Sequence, residues 1–131
     1  MTNFFSKFKI FFYLFNLILF LLYLFPGSLL GCIFFDDCKV QPQITKDYII
    51  SSNHFYVFGL ITFLGYLTYF HSKKLRLIII YLISIAIVLE VLHFIIPERS
   101  FQFPDLFGNL AGILFVIIIN TIIKNYEIFK K

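Results

Sequence analysis

The sequence predicts an all-α integral membrane protein, a four-helix bundle with both termini in the cytoplasm. Three observations carry that prediction. Of the 131 residues, 60% are hydrophobic and 14% charged, whereas a soluble domain is about half apolar and one quarter charged. The apolar residues gather into four runs close to the ~20 residues that a bilayer core of about 30 Å requires. Eight of the eleven Lys and Arg residues fall on one side of the four crossings, and short Lys/Arg-rich loops stay in the cytoplasm.

The first run, 8–25, follows Lys7 and Lys9 and is closed by Pro26-Gly27, a pair that cannot continue a helix. The second, 52–70, opens at Ser51, Ser52 and Asn53, all good capping residues, and stops at His71, Lys73, Lys74 and Arg76. The third occupies 77–96 and ends at Pro97. The fourth, 104–123, begins with Pro104, which suits a first helical turn, and ends at Lys124. These runs make one transmembrane domain over 1–131, with no internal repeat and no room for a separate soluble catalytic domain.

The cytoplasmic side collects Lys7, Lys9, Lys73, Lys74, Arg76, Lys124, Lys130 and Lys131, and the outer side only Lys39, Lys46 and Arg99. The acids run the other way: Glu127 is alone inside, while Asp36, Asp37, Asp47, Glu90, Glu98 and Asp105 lie at or near the outside. A net charge of +4 therefore reads as membrane orientation, not as nucleic-acid binding. The expected location is the cytoplasmic membrane, crossed several times, with membrane lipids as the immediate partners.

The longest connection, 27–51, is extracytoplasmic in this topology and holds both cysteines. Cys32 and Cys38 are six residues apart, and in an oxidising compartment they can pair. Two free thiols are the plain alternative. A third reading takes the basic start, the apolar run and Leu29-Leu30-Gly31-Cys32 as a lipoprotein signal, with Cys32 lipidated; Leu30 and the Pro26-Gly27 break fit that pattern poorly.

An ionisable residue inside a span is costly unless it is paired or hydrated, so each marks a candidate site. Glu90 lies within the third span, and His93, three positions on, shares its face. Asp105, Gly108, Asn109 and Gly112 form one stripe on the fourth helix, where Gly108 and Gly112 are a small-xxx-small pair suited to close helix packing. His54 stands in the first turn of the second span. His54, Glu90, His93, Arg99, Asp105 and Asn109 thus converge on the outer leaflet, and Glu90, Arg99 and Asp105 are expected to form one electrostatic unit there. Glu90 and His93 have the Glu-x-x-His spacing of helical-bundle metal sites, but in one copy where such bundles use two plus further acids, so no metal is assigned. With no Gly-rich phosphate loop, zinc-spaced Cys or His pair or serine elbow, no cofactor is expected either.

The run from Glu90 through His93, Arg99, Asp105 and Asn109 to Gly112 resembles the signature of the VanZ-like membrane proteins. That family shows Glu, Gln three later, an Arg after the helix, Asp six beyond it, Asn four further and then Gly. His54-Phe55 resembles the His-Phe opening the family's second span, and Pro26 the proline closing the first. Three positions differ: Ile50 and Ser51 stand where the family has Asp-Lys, and His93 replaces the usual Gln. The resemblance covers essentially the whole chain. It implies a bacterial cell-envelope membrane protein, some of whose relatives are linked to glycopeptide resistance.

The resulting expectation is an outer-leaflet pocket that engages an anionic envelope substrate, a phosphate-bearing lipid or a lipid-linked glycan. Arg99 would hold the phosphate, His54 and Glu90 would handle protons if chemistry occurs, and Asp105 and Asn109 would orient Arg99 and His54, beside His93. The competing expectation is a non-enzymatic interaction protein whose polar residues only lock helices together.

Overall fold

The computed structural model describes the backbone of residues 2–129 and the side chains of residues 8–126. Five helices follow one another: α1 (Thr2–Leu24), α2 (Leu29–Phe35), α3 (Ser52–Tyr69), α4 (Leu75–Leu92) and α5 (Phe103–Phe129). No strand occurs among the described residues. Met1, Lys130 and Lys131 lie outside them, as do the side chains of Lys7 and Glu127, so the expected charges at the two ends of the chain do too.

Two helices, α4 and α5, are each long and apolar enough to cross a membrane, and residues 8–24 of α1 reach that length and hydropathy only together with α2, across an 85° bend. The outer faces of α4 and α5 are apolar and exposed, with Leu77, Ile80, Val88, Leu114, Ile118 and Ile122 all uncovered by protein. A patch of that extent needs a bilayer or a partner to cover it. Helix α3 is not among the membrane-length apolar helices, for a physical reason. It opens with Ser52, Asn53 and His54, carries Thr62, Thr68 and three tyrosines, and touches α1, α4 and α5. A helix packed against three neighbours can carry polar side chains on its covered faces, while Tyr56, Leu60 and Phe63 remain exposed.

All four long helices contribute to one core: Phe12, Leu19 and Tyr23 from α1, Phe58, Ile61 and Leu64 from α3, Leu82, Ile85, Ala86 and Leu89 from α4, and Ile113 from α5. Helices α1 and α3 run antiparallel. Tyr13 and Tyr69 share a hydrogen bond (3.1 Å) toward one end, and Tyr23 reaches His54 (2.9 Å) toward the other. The most extensive packing is α3 on α5, where Gly108 and Gly112 face the α3 backbone. A Cβ on Gly108 would stand 2.6 Å from the Ser51 carbonyl oxygen, and one on Gly112 would collide with the carbonyl of Phe55. Closeness of that order brings His54 of α3 beside Asn109 and Asp105 of α5.

Three element boundaries differ from the sequence expectation. Helix α4 ends at Leu92, not at 96, because the chain tightens: His93, Phe94 and Ile95 each donate to a carbonyl three residues back. The coming Pro97 disfavours helical geometry just before it. The 27–51 connection is not plain loop but contains α2. Ser28 caps α2, its Oγ accepting from Gly31 N–H at 3.0 Å, and Asp36 closes it at φ 51°. Helix α3 is capped from outside the expected set: the Asp47 carboxylate accepts from Ser52 N–H (2.7 Å), and Ser51 makes no side-chain cap.

The connection folds back over the ends of α1 and α3. Cys32 and Cys38 are joined, with sulfurs 2.02 Å apart, Ser28 N–H donates to the Cys38 carbonyl (2.7 Å), and Asn53 holds Pro42 and Ile44 through both ends of its amide (2.6 and 2.9 Å). The segment forms a cover on the end of the molecule that carries the polar residues.

Candidate functional site

The site is built around one tyrosine that the sequence does not single out. Tyr23 is 6% exposed and lies near the C-terminal end of α1. Its hydroxyl donates to Asn109 Oδ1 at 2.7 Å. Asn109 is itself oriented by its Nδ2, which donates to the Ala86 carbonyl on α4 at 3.2 Å, leaving Oδ1 as the acceptor. Because the tyrosine proton is committed there, its oxygen accepts from His54 Nδ1–H at 2.9 Å, and the same N–H lies 3.0 Å from Asn109 Oδ1. The histidine tautomer follows from this chain of donors: Nδ1 carries the proton and Nε2 is turned toward Asp105, 3.6 Å from Oδ2.

Glu90 sits at the centre with no exposed surface. Its Oε1 accepts from the Gln102 backbone N–H at 3.1 Å and lies 3.4 Å from His93 Nδ1. Its Oε2 has no hydrogen-bond partner among the described residues and lies 3.9 Å from His54 Nδ1. A buried carboxylate oxygen without a partner calls for a specific explanation. His93 is held by its other nitrogen, which donates to the Tyr23 carbonyl (3.1 Å), while its ring stacks on the Tyr23 ring.

Arg99 stands where the sequence expectation does not put it. Its Nη2 and Nε donate to the carbonyls of Leu22 (2.8 Å) and Phe25 (3.3 Å), and it makes no ion pair within 4.0 Å of Glu90 or Asp105. The last carbonyls of a helix lack intrahelical donors and carry a partial negative charge, so they compete with the acids for a nearby guanidinium. Arg99 and His93 together cap the end of α1. Burial pulls the Arg99 guanidinium down from its ordinary value, and the charges of Glu90 and Asp105 act against that pull at longer range. Its Nη1 makes no hydrogen bond to the described residues.

Two cavities of about 190 Å³ each flank this cluster beneath the 27–51 cover. One is polar and includes Lys39, Glu98, Ser100, Gln102 and Asp105; the other is mostly apolar and includes Leu22, Leu29, Ile44 and Val57 along with His54. They share Ser28, Gln41, His93 and Arg99. Chemically, the arrangement can offer an anion one free guanidinium edge and a lysine, and can offer a cation the three groups His54, Glu90 and Asp105, whose ligand atoms lie within 4.8 Å of one another. The structure thus brings together His54, Glu90, His93, Asp105 and Asn109, with Arg99 bordering the cluster and Gly108 and Gly112 enabling the approach. Sequence reasoning missed Tyr23, Gln102 and Gln41. Tyr23 had one weak signal, a hydroxyl three residues before the Pro26 that closes its span.

No family model, no curated protein and no solved structure matches this chain. Its likeness to the VanZ-like signature therefore rests on the motif residues themselves.

Proposed function

We propose that this chain is a VanZ-like, multi-pass protein of the cytoplasmic membrane, a four-helix bundle with both termini inside, whose outer end binds the phosphate-bearing headgroup of an anionic envelope lipid. The carrying observation is the pair of adjoining cavities that share Arg99 and His93, one polar and one apolar. That pairing suits an amphiphile, with phosphate against Arg99 Nη1 and Lys39 and the first carbons of a chain against Leu22 and Val57. At about 190 Å³ each, the cavities are smaller than the roughly 300–1,000 Å³ of drug-sized sites. A compact headgroup fits them better than an extended glycan.

One observation favours a second reading, in which the polar residues only lock helices. The Tyr23–His54–Asn109–Ala86 network joins α1, α3, α5 and α4, and Asn109 lines neither of the two cavities. Native mass spectrometry separates the two. The chain released from vesicles of mixed phosphatidylglycerol and phosphatidylcholine should retain the anionic lipid selectively, and Arg99→Gln or Lys39→Gln should each reduce that retention. Equal retention of both lipids, unchanged by either substitution, supports the packing role alone.

A further inference from the structure

We propose that His54, Glu90 and Asp105 form a binding site for a divalent metal ion, held by His54 Nε2 and one oxygen of each carboxylate. This goes beyond the lipid reading and does not depend on it. Four observations carry it.

The three residues come from three helices, α3, α4 and α5, and their ligand atoms already lie within 4.8 Å of one another. Around a metal with bonds of about 2.0–2.2 Å, neighbouring ligand atoms stand roughly 3–3.5 Å apart, so the three groups would draw together by at most about 2 Å to close the shell. The second observation is the orphaned Oε2 of Glu90, on a residue with no exposed surface, 3.9 Å from the Nδ1 edge of the His54 ring and within the three-residue cluster. A metal bond supplies the partner that no protein group supplies. Third, His54 is prepared as a ligand: its Nδ1–H is held by Tyr23 and Asn109, which fixes Nε2 as the atom with the free lone pair. Metal-binding histidines are oriented in this way by an acceptor on the other nitrogen. Nε2 and Asp105 Oδ2, two acceptors at 3.6 Å, face each other across a gap suited to a positive centre.

Fourth, among the described residues no Lys or Arg lies within ion-pair distance of the two acids. Arg99 is engaged with the α1 carbonyls, and among the described residues Glu90 and Asp105 have ion pairs only with His54 and His93. The Glu90–His93 pair picked out by sequence spacing is not the ligand set, because His93 faces the other oxygen, Oε1. One imidazole with two carboxylates favours Mn²⁺ or Zn²⁺ over the all-oxygen preference of Ca²⁺ and Mg²⁺. With three protein ligands, and Asp105 bordering the polar cavity, the remaining coordination positions open toward that cavity.

The test uses the full chain, untagged, purified in detergent, stripped with a chelator and titrated with Mn²⁺ while electron paramagnetic resonance follows free and bound ion. The expected result is saturation at one ion per chain, displacement by Zn²⁺ and pulsed-resonance coupling to a directly bonded ¹⁴N nucleus. Asp105→Asn and His54→Gln should each weaken binding by roughly tenfold or more, and His71→Gln, at the far end of the molecule, should not. The nitrogen coupling is read on the unaltered chain and so decides the matter even if a variant does not fold. Absence of saturable binding up to millimolar Mn²⁺, bound Mn²⁺ without nitrogen coupling, or equal weakening by His71→Gln would overturn the proposal.

Discussion

Tyr23 and Arg99 show how single residues at this site take roles that spacing along the chain does not reveal. His54, Glu90 and Asn109 are legible because polar groups inside apolar runs are costly and need partners. Tyr23 is not, since a tyrosine near the end of a span is the ordinary occupant of a membrane interface; only the tertiary fold turns its hydroxyl inward to Asn109. Arg99 is legible as the nearby cation but not as the cap of α1, because its carbonyl partners at Leu22 and Phe25 are more than seventy residues away in sequence. The sequence expectation of an Arg99–Glu90 pair implies that removing Glu90 rescues the loss of Arg99. The structure implies a smaller coupling. Arg99→Met should cost roughly 1–3 kcal/mol by stranding helix-end carbonyls, and adding Glu90→Gln should recover less than half of that cost, because the two charges act on each other without an ion pair. Thermal unfolding in detergent of both single variants and the double variant checks this, and recovery of most of the loss would restore the direct pair.

At the scale of helices, the apolar runs and their prolines locate α1, α3, α4 and α5, but not where each one stops. Pro97 breaks α4 early, tightening residues 93–95 and setting His93 at the helix end where it reaches the Tyr23 carbonyl. Helix α2 escapes hydropathy because it has only seven residues; Ser28 as its cap is the signal that could have found it. The contact that most controls the site is α3 on α5. Gly112 and Gly59 face each other there with unequal room: a Cβ on Gly112 meets the Phe55 carbonyl and Gly59 N (2.8 Å), whereas one on Gly59 meets nothing closer than 3.8 Å. Gly112→Ala should therefore destabilise by roughly 1–3 kcal/mol or more through overpacking. Gly59→Ala should be neutral or stabilising by up to about 1 kcal/mol, as expected of alanine in a helix. Unfolding midpoints of the two variants check the asymmetry; equal effects would mean that the two helices do not cross as closely as described.

Across the whole molecule the two ends differ in kind. Lys73, Lys74, Arg76 and Lys124 lie at the end where α3 turns into α4 and α5 runs out, and the other end carries Asp36, Asp37, Asp47, Glu98 and Asp105 with the disulfide-closed cover. Composition and the positions of Lys and Arg make this polarity legible before any coordinates. The packing of α3 against three neighbours is not legible, because an apolar run looks alike whether lipid or protein covers it. In the proposed topology the polar end faces outward from the cytoplasmic membrane, which would put His54, Arg99 and Asp105 in reach of envelope lipids. The most direct measurement is labelling of intact cells with a membrane-impermeant thiol reagent, using single cysteines at two exposed positions, Ser100→Cys and Lys73→Cys, in a background lacking Cys32 and Cys38. Position 100 should label from outside and position 73 only after permeabilisation. Labelling of position 73 in intact cells, with position 100 protected, would contradict the orientation and the outward-facing site together.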